Sequence, residues 1–129
     1  MKLTPRRRIL GPPPWAPPDV AGLALWLDAS DLSSLFTDSG RTTPVASSGD
    51  PVGGWADKSG NGRHVGQATS GRRPIYQAAG RDTGQAGLVC DDVDDGLTSA
   101  SAYVPSGAFT LVIIGKITST PGGAEYDQI

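Results

Sequence analysis

Leu23, Leu25 and Leu27 alternate with Ala24, Trp26 and Asp28, the period of two that marks a strand with one strongly apolar face. Over "SDLSSLF" the period changes. Leu32, Leu35 and Phe36 stand at i, i+3 and i+4, which predicts one short helical turn with Ser30 as its N-cap. Residues 37–54 are rich in Thr, Ser, Gly, Asp and Pro and predict an exposed loop. In "WADKSGNGRHVGQ" two glycines flank an asparagine, residue types that accept positive φ. Polar and apolar residues alternate after them, so a turn leading into a strand is the economical reading. "RRPIYQ" offers a further extended piece, which Pro74 confines to an edge or a loop. "GLVCDDVDDGL" sets Leu88 and Cys90 on one face ahead of an acidic turn and Leu97. "FTLVIIGKI" predicts the strongest strand: Phe109, Leu111, Ile113 and Ile117 point one way, Val112 and Ile114 the other, so that both faces find partial cover. No internal repeat is present.

Residues 1–20 obey a different rule. Lys2, Arg6, Arg7 and Arg8 fall in the first eight positions, and Pro12, Pro13, Pro14, Pro17 and Pro18 follow with Trp15 among them. Prolines fix φ and remove donors, so this segment is expected to be extended and polyproline-like. It reads either as a linker or as an anchoring arm. A stiff backbone loses little entropy on docking, and Arg6, Arg7, Arg8, Ile9, Leu10 and Trp15 would supply the charge and the apolar anchors. Three arginines without interleaved aromatics do not make a nucleic-acid platform.

Composition narrows the fold class. Eighteen glycines and 11 prolines in 129 residues oppose long helices, because an interior Gly costs about 1 kcal/mol and Pro about 3. The expectation is one all-β domain with an extended arm. A net charge of −2 gives no global field for nucleic acid. The single cysteine, Cys90, excludes an intrachain disulfide and a cysteine-rich zinc site. No apolar run reaches the roughly 18 residues of a membrane span. The basic start lacks a signal peptide's apolar segment, since prolines interrupt it, so secretion is not expected.

Candidate chemistry is sparse. Asp57, Ser59 and His64 are close in sequence, but a catalytic triad is defined by contact geometry, and no nucleophile-elbow pattern surrounds them. One His and one distant Cys are too few for zinc, and the glycine spacing does not match a phosphate-binding loop. A structural turn is the first reading of this stretch, with Trp55, Asn61 and His64 as the residues that would touch a ligand at its surface. Asp91, Asp92, Asp94 and Asp95 crowd one short turn. Either their side chains bond local amides, or Asp91, Asp94 and Asp95 hold calcium, an oxygen-seeking ion. EF-hand spacing is absent, with Val93 and Ala102 at the third and twelfth positions counted from Asp91. No other cofactor is expected. Glu125 is the only glutamate, and aspartates in a hydrated turn are poorly placed to supply the raised-pKa acid of a glycosidase. Enzyme activity is not expected.

Together "LALWLDASDLSSLFTDS", "GDPVGGWADKSGNGRHVGQA", "GLVCDDVDDGL" and "FTLVIIGKI" resemble the opening half of a concanavalin A-like (laminin-G-like) jelly-roll domain, in the version found in bacteriophage and prophage fibre and spike proteins. The family's Asp…Ser-Gly-Asn-Gly turn is matched by Asp57, Ser59, Gly60, Asn61 and Gly62. Its Phe-Asp-Gly-Val-Asp-Asp run appears as Cys90-Asp91-Asp92-Val93-Asp94-Asp95, with Cys90 and Asp92 departing from it. The resemblance covers residues 20–118. It implies a two-sheet β-sandwich over residues 21–129, incomplete relative to the family's longer domains, behind an anchoring arm at 1–20. A half-sandwich leaves an apolar strand edge unpaired, so a homo-oligomer or a longer product is expected. The implied role is a non-enzymatic virion structural protein on the particle surface, a tail- or head-fibre component, with other virion proteins as partners through the arm and a host glycan as a further partner. The alternative is a lectin-like carbohydrate-binding module of a bacterial surface or secreted protein, in which Trp26 or Trp55 would stack on a sugar.

Overall fold

A computed structural model of the chain describes residues 16–79, 84–100 and 107–113. Arg6, Arg7, Arg8, Ile9, Leu10 and Trp15 of the expected arm lie outside the described residues, as do Ile114 and Ile117 of the last expected strand.

The described chain is all-β. Six short strands form two antiparallel sheets: β1 (Leu35–Phe36), β2 (Gly54–Trp55), β3 (Val65–Gly66), β4 (Ile75–Gln77), β5 (Gly87–Val89) and β6 (Thr98–Ser99). One sheet has the order β1-β2-β3-β6 and the other pairs β4 with β5. The registers place Leu35 opposite Trp55, Gly54 opposite Gly66 and Gly66 opposite Thr98, and Tyr76 opposite Leu88. Residues 49–52 connect the sheets. They lie along β4, with Val52 N–H donating to Pro74 O (2.8 Å) and Tyr76 N–H to Asp50 O (2.9 Å). No helix among the described residues is long and apolar enough to cross a membrane.

Burial explains this arrangement. Leu35, Val45, Val52 and Tyr76 form the core, and Leu32, Trp55, Ala86, Leu88 and Leu97 pack against it. Two of the four core residues, Val45 and Val52, come from the stretch predicted as an exposed loop. That stretch is instead folded inward, because its aspartates hold its own turns. Asp38 accepts from the amides of Thr42 and Thr43, and Asp50 from those of Ala46 and Ser47, which leaves the two valines free to face the core.

Other expectations are corrected at the level of single hydrogen bonds. The helical turn exists as a 3₁₀ turn over Leu32–Ser34, but its N-cap is Asp31, whose carboxylate accepts from Ser33 N–H; the Ser30 hydroxyl is taken by Asp28. Leu35 and Phe36 enter β1 rather than prolonging the turn. Pro17–Asp19, assigned to the extended arm, forms another 3₁₀ turn with Asp19 accepting from Ala16 N–H, since a proline's fixed φ suits a first helical position. Residues 109–113 carry no strand. Phe109, Leu111, Val112 and Ile113 are each about two-thirds exposed or more (67–78%), so neither face has the cover that alternation predicted. Without a neighbouring strand among the described residues, their backbone has no ladder to join.

Candidate functional site

Residues 23–28 show alternating apolar positions and yet no strand. Several of their backbone groups are bonded instead by the turn at 57–63. Trp26 N–H donates to Asp57 Oδ1 (3.0 Å), and Trp26 O accepts from Lys58 N–H (2.8 Å). Ala24 O accepts from the Ser59 hydroxyl (3.2 Å), Asn61 Nδ2 (3.2 Å) and the Arg63 guanidinium (2.7 Å), and Leu23 O accepts from Asn61 Nδ2 (2.8 Å). The Ser-Gly-Asn-Gly turn therefore acts as a clasp on the opening segment. Gly60 (φ 86°) and Gly62 (φ 69°) supply the left-handed conformations that let the chain curl around Asp57.

Asp57 is the hub. Only 8% exposed, its carboxylate accepts from four donors: the amides of Trp26, Ser59 (2.8 Å) and Arg63 (2.9 Å), and the Ser59 hydroxyl (2.8 Å). Burial acts to raise its pKa, but the three amides and the hydroxyl outweigh burial and hold it below the usual carboxylate value. Its own N–H donates to His64 Nδ1 (3.0 Å), which leaves the imidazole proton on Nε2.

A charge cluster adjoins the clasp. Lys58 Nζ lies 2.9 Å from Asp28 and 2.8 Å from Asp31, and 4.3 Å from the Trp26 ring centroid. Asp28 is pushed up by burial and pulled down further by Ser30 and Lys58, so it too titrates low. Both carboxyls thus have folded-state pKa values below their unfolded ones, and the unfolded chain binds more protons in acid. Their stabilisation is complete above about pH 4 and is lost as pH falls through the folded values. The urea midpoint is expected to drop between about pH 4.5 and about pH 2.5, and to drop less steeply in an Asp57→Asn variant.

The three residues expected to touch a ligand stand in different settings. Trp55 sits in β2 against the core, its indole N–H buried without a partner among the described residues. Asn61 is committed to the clasp, donating also to Ser59 Oγ (2.9 Å). His64 lines a cavity, with Ser39, Arg41, Gly66 and Thr98 among its neighbours there. Trp26 has Lys58 over its ring.

Carboxylate oxygens of Asp91, Asp94 and Asp95 lie within 4.8 Å of one another. They are engaged locally. Asp91 Oδ1 accepts from Val93, Asp94 and Asp95 N–H, Asp95 accepts from Asp91 N–H, and Asp94 pairs with Arg72 (2.9 Å). Asp92 has φ 63°, a left-handed conformation at the position where the resembled motif carries glycine. The Cys90 thiol is pushed up by burial and then by Asp95, Asp91 and Asp92, so it is a poor source of thiolate.

Two arginines escaped sequence reasoning. Arg73 bridges three backbone carbonyls, of Gln67 (3.0 Å), Thr37 (3.1 Å) and Ala68 (2.9 Å). Arg41 occupies a left-handed conformation (φ 57°) and lines the His64 cavity. No local pattern marks either: Arg73 reaches Thr37 across 36 residues, and Arg41 meets His64 only through the fold. Comparison with protein-family models, with curated proteins and with solved structures finds no match to this chain.

Proposed function

We propose that the chain is a non-enzymatic structural protein of a bacteriophage particle, a tail- or head-fibre or spike component built on a concanavalin A-like jelly roll. Its N-terminal arm attaches to other virion proteins, and the jelly-roll part serves adhesion or assembly. The observation that carries this reading is the commitment of Asp57, Ser59 and His64 to the clasp. A nucleophilic centre needs the hydroxyl on the imidazole and the imidazole on the carboxylate. Here the hydroxyl donates to the carboxylate and the imidazole accepts from a backbone amide. The exposed apolar side chains at 109–113 add support, since a contiguous apolar surface of this kind suits contact with a neighbouring protein. Deleting residues 2–18 is expected to abolish incorporation, measured by mass spectrometry of purified particles. Normal incorporation of the truncated chain would overturn the attachment role.

A further inference from the structure

Arg41 is the described cation left without a partner. Lys58 is held by Asp28 and Asp31, Arg72 by Asp94, Arg73 by three carbonyls and Arg63 by Ala24 O. Among the described residues, the Arg41 guanidinium makes no hydrogen bond or ion pair. The carboxylate nearest in sequence, Asp38, is occupied by the amides of Thr42 and Thr43 and the Thr42 hydroxyl. Arg41 also holds a backbone conformation that an L residue with a long side chain rarely adopts, the sort of local cost that clusters at binding sites.

The strands are shaped to keep that arginine in place. Gly54 and Gly66 face each other across β2 and β3. A Cβ on Gly54 would lie 2.8 Å from Arg41 Cγ, and one on Gly66 would lie 3.7 Å from Ser39 Cβ. The 38–41 turn therefore rests directly on bare backbone, and the Arg41 stem lies over Gly54. Beside it opens a cavity of about 270 Å³ whose wall includes Ser39, Arg41, His64 and Thr98 and, among the described residues, no carboxylate. Among the described residues its donors are uncommitted: the guanidinium, the Ser39 hydroxyl, and the imidazole N–H left on Nε2 by the Asp57 N–H bond to Nδ1. Only Thr98 is spent, its hydroxyl donating to Gly66 O.

A small cavity with several free donors and no carboxylate among its described lining suits an oxyanion, which a guanidinium fork grips with two parallel hydrogen bonds. We propose that this cavity binds a small oxyanion group, with Arg41 as its charged clamp and His64 and Ser39 as neutral donors. The group is either the carboxylate of an organic acid or a sulfate or phosphate. This assignment does not depend on the virion reading and stands or falls separately from it.

His64 is the only histidine, so its Cε1–H proton gives one unambiguous NMR signal. The full chain is titrated with glucuronate, inorganic sulfate, inorganic phosphate and glucose at constant ionic strength. A saturable shift of that signal with glucuronate alone supports the site and identifies a carboxylate. Saturation with sulfate or phosphate supports it and identifies those anions. Arg41→Gly and Arg41→Asn both tolerate left-handed backbone, so the fold is kept, as an unchanged urea midpoint will show, while affinity falls at least about tenfold, the effect of losing one charge-assisted contact. No saturable shift with any of the anions, a shift with glucose equal to that with glucuronate, or unchanged affinity in both Arg41 variants overturns the proposal.

Discussion

Asp57→Ala is expected to destabilise the fold by about 3 kcal/mol, because hydrogen bonds to a charged group contribute about 1.5–3 kcal/mol each and the donors left behind are partly shut off from water. Four donors lose their acceptor at once, and three of them are backbone amides. Asp57→Asn should lie between alanine and wild type, since its remaining carbonyl oxygen can keep one or two of the donors. Ser59→Ala should cost only about 1 kcal/mol, the usual worth of a hydroxyl's bonds. Urea denaturation monitored by tryptophan fluorescence ranks the three. An Asp57→Ala midpoint equal to that of Ser59→Ala would show that the hub is not where stability is concentrated.

The second large effect falls on two adjacent glycines. A Cβ on Gly53 would sit 2.6 Å from Thr37 O and 2.9 Å from Arg73 Nε, and one on Gly54 would sit 2.7 Å from Asp38 O. The obstructing oxygens belong to the backbone, which cannot swing aside as a side-chain tip can. Alanine at either position is expected to cost about 3 kcal/mol, the upper range for overpacking. Gly60 and Gly62 make the informative contrast. A Cβ there meets open space, so alanine carries only the conformational penalty of its positive φ, about 1 kcal/mol. Thermal unfolding of the four variants separates steric from conformational cost.

Part of this fold is legible in the sequence. The Gly and Pro content points to the all-β class, and Ser-Gly-Asn-Gly to the turn, in which both glycines have positive φ. The long-range meaning of that turn was not legible. Leu23 to Leu27 alternate as a strand does, yet their backbone partners include the side chains of Ser59, Asn61 and Arg63, the carboxylate of Asp57 and the Lys58 amide; alternation reports which face is apolar, not what bonds the backbone. Val45 and Val52 were hidden by the polar residues around them, whose aspartates turn the chain inward instead of solvating it. The run at 109–113 failed in the opposite sense. Its apolar period suits a strand, but a strand requires a neighbour to bond with, and sequence periodicity contains no information about one. At the candidate site, His64 drew notice as the only histidine, whereas Arg41 stood in a polar stretch with nothing to distinguish it.

The central claim is that Asp57 ties the opening segment to the turn at 57–64, so that the most reactive-looking residues of the chain serve its architecture. Amide hydrogen exchange at Trp26 tests it most directly, since that amide's acceptor is the Asp57 carboxylate. The account predicts that Trp26 is protected to a degree comparable with the core amides of Val52 and Tyr76, and that Asp57→Asn weakens protection at Trp26 first. A Trp26 amide that exchanges as freely as an unfolded chain while Val52 and Tyr76 stay protected would contradict it.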